Sequence, residues 1–530
     1  MQNNDLYEKV CRVIIHRLLN GGTEEKINKL KTQVCKKYSL NHIPSNSEIL
    51  AFAANDEREK LRSFLQLKPI RSLSGVNVIA VMSKPFDCPH GKCIYCPGGT
   101  KFGVPSSYTG LEPATMRGIQ NNFNPYLQVK SRIRQLKAIG HVVNKVDLIV
   151  MGGTFPATPI QYQEDFMTNC LNALTNRNAP SLGEAKQYAE ASSIRNVGIT
   201  FETRPDYAKE HHINEMLRLG ATRVEIGVQT IYDDLYQLAE RGHNVYDVIE
   251  ATRLLKDAGV KVCYHIMPNL PGSNYDKDIE TFKALFNNAQ FQPDELKIYP
   301  TLVLKGTKLY DKWKNGDYTP LTDEKIIEML VCIKSKYVPK YVRIKRIMRD
   351  IPSTIVIAGP KLSNLRELVW KRLQEQGQSC LCIRCREVGH NDTKLEADLA
   401  DVKLSQYEYK ASEGTEVFIS FDDLKSNALI GFLRLRIPST KAHRNEIKGK
   451  QLGIVRALHV YGPLVKIGEN PSIRKWQHRG FGRKLLAKAE EIAQEQYDAT
   501  EILVTSGLGA KEYYQKIGYT KKGVYMSKTL

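Results

Sequence analysis

Between about residues 76 and 300, short runs of β-branched and apolar residues alternate with amphipathic stretches, and no other feature restricts the fold as much. The runs are 76–82, 146–151, 197–201, 223–226, 260–266 and 296–299. The stretches between them, such as 116–139, 213–219 and 245–258, repeat apolar residues at helical spacing. Strands separated by helices pair in parallel and are buried on both faces. Six of them make a (β/α)6 partial barrel, an α/β fold whose chemistry belongs at the carboxyl ends of the strands.

The rest of the 530 residues divides around this barrel. Residues 1–75 read as a small helical region, with Val10, Val13, Ile14, Leu18 and Leu19 at helical spacing before Gly21-Gly22 ends the run. Its mild excess of basic residues suits either a nucleic-acid-binding module or a packing extension. The barrel is assigned 76–330, a basic linker 331–395, and a second α/β domain 396–530. In that last domain, strands are expected at 416–421, 429–436 and 454–461, followed by a Gly-rich turn and a helix. A strand at 502–505, a short helix at 511–516 and a strand at 519–526 close the chain.

Lys plus Arg number 77 against 57 Asp plus Glu, a net charge of +20 that favours a polyanionic partner. No apolar stretch approaches the ~20 residues of a membrane span, and Asp5 and Glu8 stand where a secretory signal carries basic residues. A cytoplasmic location is therefore expected. In a reducing compartment the 11 cysteines are not disulfides, and six of them form two triplets that read as metal ligands.

The first triplet, Cys88, Cys93 and Cys96, lies on the loop after the first barrel strand. Three thiolates hold three irons of a [4Fe-4S] cluster and leave the fourth open for the amino and carboxylate groups of S-adenosylmethionine. A zinc site completed by His90 is the alternative. Gly152 and Gly153, with Thr154, end the second strand and allow close backbone approach by a methionine moiety. Glu202, Arg204, Glu225 and Gln229 end the third and fourth strands, where polar groups orient an adenosyl ligand. These residues resemble the radical S-adenosylmethionine superfamily, with two departures. The first cysteine gap has one residue more than the usual Cys-x-x-x-Cys-x-x-Cys, and Gly152-Gly153-Thr154 replaces Gly-Gly-Glu. The Glu that usually helps to hold the methionine amine is absent.

In the last domain, Gln477-His478-Arg479-Gly480-Phe481-Gly482 opens a helix whose face carries Leu485, Leu486, Ala489, Ile492 and Ala493. Such a loop offers backbone N–H groups and a helix dipole to a pyrophosphate. With the preceding strand and the later YYQKIGY at 513–519, the order resembles the GNAT acetyltransferase fold, which implies acetyl-CoA and a Tyr514 near the thioester sulfur.

Between the domains, Cys380, Cys382, Cys385 and His390 make a complete tetrahedral zinc set of the structural kind. Just before it, Lys334, Lys336, Lys340, Arg343, Lys345, Arg346 and Arg349 face only Asp350. Val342 and Ile344 alternate with Arg343 and Lys345, so one side of a strand packs while Arg343, Lys345 and Arg346 are expected to meet RNA phosphate.

A radical domain joined to a GNAT domain resembles the family of Elongator catalytic subunits over nearly the whole chain. The matching segments include SYTGLEP at 107–113, VMGGTF at 150–155, ITFETRPDY at 199–207, EIGVQT at 225–230, RGH at 241–243 and LKIYPTLV at 296–303. RDIP at 349–352, NLREL at 364–368, LHVYG at 458–462 and GFG at 480–482 continue the match. The resemblance implies a tRNA partner and acetyl-CoA-dependent carboxymethylation of carbon 5 of the wobble uridine. It implies a tRNA-binding N-terminal region, and Elongator-like subunits or a second copy as partners. It also implies acetyl-CoA contacts at Lys145, at Ala457, Leu458, His459 and Val460, at Phe481, Gly482 and Arg483, and at Tyr514, with Lys145 and Tyr514 nearest the chemistry. Ala457 departs from the family's frequent Glu and offers only its backbone. The rival readings are a protein lysine acetyltransferase whose barrel only scaffolds, and a tRNA-binding platform without catalysis.

Overall fold

Val76–Met82 (β1), Lys145–Met151 (β2), Arg195–Thr203 (β3), Arg223–Gln229 (β4), Lys261–Ile266 (β5) and Glu295–Ile298 (β6) pair in parallel in chain order, and all six expected strands are present. This computed structural model describes residues 2–20, 27–67, 75–388, 401–461 and 480–530. A small antiparallel pair, Val303–Leu304 (β7) and Val356–Ala358 (β9), stands apart from the main sheet. The main sheet has a seventh strand, Arg343–Ile347 (β8), beside β6. That segment was expected in a linker, because its alternating cations resemble a solvated surface. β1 and β8 are the two sheet edges, so the barrel is open along one seam.

Alternation along the strands explains both faces. Ile79, Val81, Leu148, Val224, Val262, Tyr264, Leu296 and Ile344 turn outward into one core with the surrounding helices. Each hides nearly all of its apolar surface from water, worth about 1.5–3 kcal/mol for a large side chain. The inward face is different: it carries Asp147, Glu225, Lys261, His265, Lys297 and Lys345. Both faces are enclosed, but only one is apolar.

The helical run 116–139 is two helices, Pro113–Gln120 and Pro125–Ala138. Asn124 ends the continuity: its side chain accepts the Leu127 N–H at 3.1 Å, and Pro125 takes the first position of the second helix. The N-terminal helices Gln2–Asn20, Ile27–Lys37, Asn46–Phe52 and Asn55–Leu65 enclose a separate core around Val10, Ile14, Leu30, Ile49 and Leu61. They dock at the end of helix Pro125–Ala138, where the Leu67 N–H donates to the Ile139 carbonyl at 3.2 Å.

Val402–Ala411 (β10), Gly414–Asp423 (β11), Ala428–Ile437 (β12), Leu452–Val460 (β13), Glu501–Val504 (β14), Thr520–Lys522 (β15) and Tyr525–Thr529 (β16) form a second sheet, ordered β10-β11-β12-β13-β14-β16-β15. The run 519–526 is thus a hairpin turning at Gly523, whose φ of 58° suits glycine. β13 and β14 pair in parallel only over 452–455 and 501–504, then part.

This domain packs against the amino ends of the barrel strands. Arg456, fully buried, donates to both Asp294 oxygens at 2.7 Å and to Glu416 at 2.6 Å. Arg436 donates to Asp257 at 2.6 Å, and Lys256 lies 3.7 Å from Asp294. A Cβ on Gly507 would stand 2.4 Å from the Val197 backbone, so the two domains meet there without room for a methyl group.

Candidate active site

The upper mouth of the barrel, at the carboxyl ends of the strands, holds the first cysteine triplet. Cys93 and Cys96 are buried and Cys88 is partly exposed. A single zinc with ~2.3 Å bonds to sulfur needs its thiolates about 3.8 Å apart. Cys380, Cys382 and Cys385 lie within 4.8 Å of one another, whereas Cys88, Cys93 and Cys96 do not. The wider triplet fits a multi-iron group better than one ion. Its sulfurs also have donors aimed at them: Arg241 Nη1 lies 3.5 Å from Cys93 Sγ, and the Ser107 N–H donates to Cys96 Sγ at 3.2 Å. His90 Nε2 is 3.2 Å from Cys93 Sγ. Burial first, and then the cations Arg204 and Arg241, push that imidazole down to about 4.

Gly152 is required by space and backbone, Gly153 by its backbone conformation alone. Gly152 and Gly153 have φ of 138° and 88°. A Cβ on Gly152 would stand 2.0 Å from Ser83 Oγ, and one on Gly153 4.0 Å from Cys88 Sγ. β2 can therefore end against the cysteine loop, with Thr154 opening the turn that follows. Thr154 Oγ1 and Gln229 Oε1 are buried without a hydrogen-bond partner among the described residues, and both line this pocket.

The four polar residues expected at the strand ends have divided roles. Glu202 accepts the Tyr108 hydroxyl at 2.7 Å and lies 3.5 Å from Lys297. Glu225, fully buried, contacts Lys297 and lies 3.0 Å from His265 Nε2. Lys297 before His265 outweighs the desolvation cost and holds the Glu225 carboxyl well below its ordinary range. Gln229 keeps an open acceptor. Arg204 borders the pocket, but its guanidinium is taken by Asp206 at 2.8 Å and by the Arg241 carbonyl at 2.7 Å. Sequence reasoning missed Tyr108, Arg241, His265 and Lys297 as working parts. The signal was present for two of them, as polar residues alternating inside otherwise apolar strands.

The lower mouth gathers the residues implied for acetyl-CoA. Lys145 begins β2 on the inward face and makes no salt bridge among the described residues; burial, then Arg195, lowers its ammonium. Ala457 is buried opposite Arg434, beside a bulge that sends Arg456 into Asp294. Leu458, His459 and Val460 continue along the strand past the point where β14 leaves it. Gly480, at φ 81°, caps helix Phe481–Tyr497, whose first N–H groups, from Phe481, Gly482 and Arg483, have no place in the helical ladder. A Cβ on Gly482 would lie 3.5 Å from the Tyr513 hydroxyl and 3.9 Å from Val460 Cγ2, which joins strand, loop and the later helix in one cleft. Tyr513 rather than Tyr514 borders the loop. Tyr514 is buried against Tyr513 and Tyr519, with ring centroids at 5.2 and 5.7 Å, and burial raises its hydroxyl. Gln477, His478 and Arg479 lie outside the described residues.

In the second triplet Lys334 Nζ lies 3.2 Å from Cys380 Sγ and 3.4 Å from Cys385 Sγ. His390 lies outside the described residues. The reading of Arg343, Lys345 and Arg346 as an RNA-facing set needs correction. β8 is a barrel strand, so its alternate side chains face the lumen: Arg343 pairs with Glu387 at 2.8 Å and Lys345 with Glu295 at 3.3 Å. Arg346, paired with Asp350, is the one of the three that borders the upper pocket.

Comparisons with known proteins agree with this arrangement. The Radical SAM superfamily matches residues 83–285 and its C-terminal domain 293–375, the ELP3 N-terminal domain 7–73, and the acetyltransferase (GNAT) domain 472–528. The tRNA uridine(34) acetyltransferase of Methanocaldococcus jannaschii is 50% identical, covering 98% of each chain. Elongator complex protein 3 of Schizosaccharomyces pombe is 42% identical over 99% of this chain and 98% of its own. The solved structure of Methanocaldococcus infernus Elp3 lacking residues 1–46 aligns with a TM-score of 0.76 at 46% identity, covering 86% of this chain and 99% of that one.

Proposed function

Because the chain belongs to the Elp3 family of tRNA uridine(34) acetyltransferases, we propose that it builds a carboxymethyl group on carbon 5 of that uridine from the acetyl group of acetyl-CoA. One observation carries the reading: a cysteine loop with open polar partners crowns one mouth of a barrel whose other mouth receives a splayed acyl-domain strand.

Cys88, Cys93 and Cys96 hold a [4Fe-4S] cluster, with Arg241 and the Ser107 N–H offsetting negative charge on the sulfurs. Gly152, Gly153, Thr154, Glu202 and Gln229 seat S-adenosylmethionine. When bound, cluster and S-adenosylmethionine would supply the radical chemistry needed to take hydrogen from the acetyl methyl group. The free N–H groups of Phe481, Gly482 and Arg483 take the CoA pyrophosphate, and Lys145 supplies a cation beside the acyl arm. Arg346 and Arg349 border the upper pocket, paired with Asp350 and the Ser107 carbonyl, and are the cations we assign to the phosphates flanking the uridine. Cys380, Cys382 and Cys385 hold a structural zinc with His390 as the fourth ligand, and the Lys334 ammonium offsets the charge of the three thiolates.

The test is anaerobic incubation of protein and tRNA with reductant, S-adenosylmethionine and acetyl-CoA deuterated on the methyl. Carboxymethylated uridine 34 and deuterated 5′-deoxyadenosine are expected. Acetylated protein lysine with unmodified tRNA would overturn the reading in favour of a protein acetyltransferase.

A further inference from the structure

Buried arginines in this chain meet carboxylates. Arg204, Arg223, Arg386, Arg434, Arg436 and Arg456 each form an ion pair with one. Among the described residues, the buried Arg117 and Arg241 do not. Arg117 settles on the Ala80 carbonyl at 2.7 Å. Arg241 instead lines the upper pocket. Its Nη2 donates to the Gly227 carbonyl at 2.6 Å, Nη1 reaches Cys93 Sγ at 3.5 Å, and Nε has no partner among the described residues. The groups facing it are Tyr95, Cys93 and Tyr236, two phenols and a thiol. A buried guanidinium is costly unless an anion compensates it, and carbonyl oxygens do not supply the charge. The anion within its reach is the Cys93 thiolate.

The backbone is cleared to put that cation in place. A Cβ on Gly227 would stand 2.4 Å from Arg241 Nη2. One on Gly242 would stand 2.7 Å from His90 Cβ, and the φ of 71° there also favours glycine. The Ile94 N–H donates to the Ala239 carbonyl at 3.2 Å, and Arg204 holds the Arg241 carbonyl at 2.7 Å. Segment 239–242 therefore lies directly on the cysteine loop, and its guanidinium is held from both sides. The other cations of the pocket are already matched: Lys297 by Glu202 and Glu225, Arg204 by Asp206. Ser107 and Tyr95 offer neutral donors to the sulfurs of the triplet. Arg241 brings a full positive charge.

We propose that Arg241 is a positioning residue that sets the reduction potential of the iron–sulfur group on Cys88, Cys93 and Cys96, its charge raising that potential through Cys93. This deepens the function proposed above and rests on the cluster assigned there. Reduction adds one negative charge to such a group, and the charge and hydrogen bonds around its sulfurs place its potential. A fixed cation in a buried site is weakly screened by water and salt, so it acts strongly across a single sulfur. The reduced form gains more from it than the oxidised form does. The group then accepts its electron from a milder one-electron donor.

The test is an anaerobic redox titration of the full chain loaded with iron and sulfide, followed by electron paramagnetic resonance, with Arg241→Gln and Arg241→Lys beside the parent. Iron is counted in each. Arg241→Gln keeps a hydrogen-bond donor and removes the charge. At the parent's midpoint its ratio of reduced to oxidised group should fall about tenfold, a shift of about 59 mV toward negative potential for one electron. Arg241→Lys keeps the charge and should stay near the parent's midpoint. Loss of iron from the Gln variant alone, with the Lys variant at the parent's midpoint, also supports the proposal, since charge is then what the site requires. A loaded Arg241→Gln protein with the parent's midpoint overturns it, as does an Arg241→Lys protein shifted as far as the Gln variant. Loss of iron from both variants overturns it too, and assigns Arg241 to building the loop. If the parent itself takes up no reducible iron–sulfur group, it is the proposed function that fails.

Discussion

Cys93 shows how one side chain joins the cluster loop to the barrel, since it meets both His90 and Arg241. Cys93→Ala should abolish iron content and tRNA modification while leaving tRNA affinity nearly unchanged, because phosphate contacts lie on other residues. Iron analysis with a tRNA binding titration checks this; modification without iron would refute it. Asp278 acts on the same mouth from a distance. Its carboxylate accepts the Asn269 N–H and the Ser273 hydroxyl, each at 2.7 Å, and so fixes the loop after β5. Burial pushes its pKa up to about 6 against those hydrogen bonds. A raised acid binds its proton more tightly when folded, so the stability it contributes is complete below pH ~4 and lost as pH rises through about 6, by about 2–3 kcal/mol. Asp278→Asn should flatten that dependence, as read from denaturation midpoints at pH 4 and 7.

At the scale of elements, the loop after β14 sets a tight constraint on the contact between the two sheets. Gly507 has φ −63° and ψ 152°, open to any residue, so its requirement is room and not conformation. Its neighbour is Val197 backbone, which cannot swing aside. Gly507→Ala should part the two sheets locally, costing about 1–3 kcal/mol by overpacking, with faster amide exchange in β3 and β14 as the readout. The strands of the barrel were readable because outward apolar residues keep period two, and the cysteine loop because its spacing is compact. The charged lumen was not. Arg343 and Lys345 have the local pattern of a wet surface, and their carboxylate partners come from 44 and 50 positions away in sequence or beyond. The break at Asn124-Pro125 was visible as a cap followed by proline, yet the apolar period runs through it. The lower-mouth residues became intelligible only once β13 was seen to end against the barrel.

The whole molecule turns on Asp294, which receives Arg456, Arg434 and Lys256 at the contact between barrel and acyl domain. The Asp294 carboxyl is held well below its ordinary range, Arg456 outweighing the cost of burial. Removing it leaves Arg434 without a carboxylate and Arg456 and Lys256 with Glu416 alone to balance them. Asp294→Ala should cost about 3–5 kcal/mol and lower the melting of both domains together, a shared shift that calorimetry would show and that independent domains would not. The same contact decides how reactants are served. Under the proposed function the acyl carrier docks below and tRNA meets the cysteine loop above, so neither large substrate stands in the other's doorway. Spent CoA can depart while the anticodon is still held, and a fresh thioester can arrive without the RNA letting go. Free CoA should therefore compete with acetyl-CoA but not with tRNA in steady-state inhibition: a two-sided workbench, with a separate queue at each side.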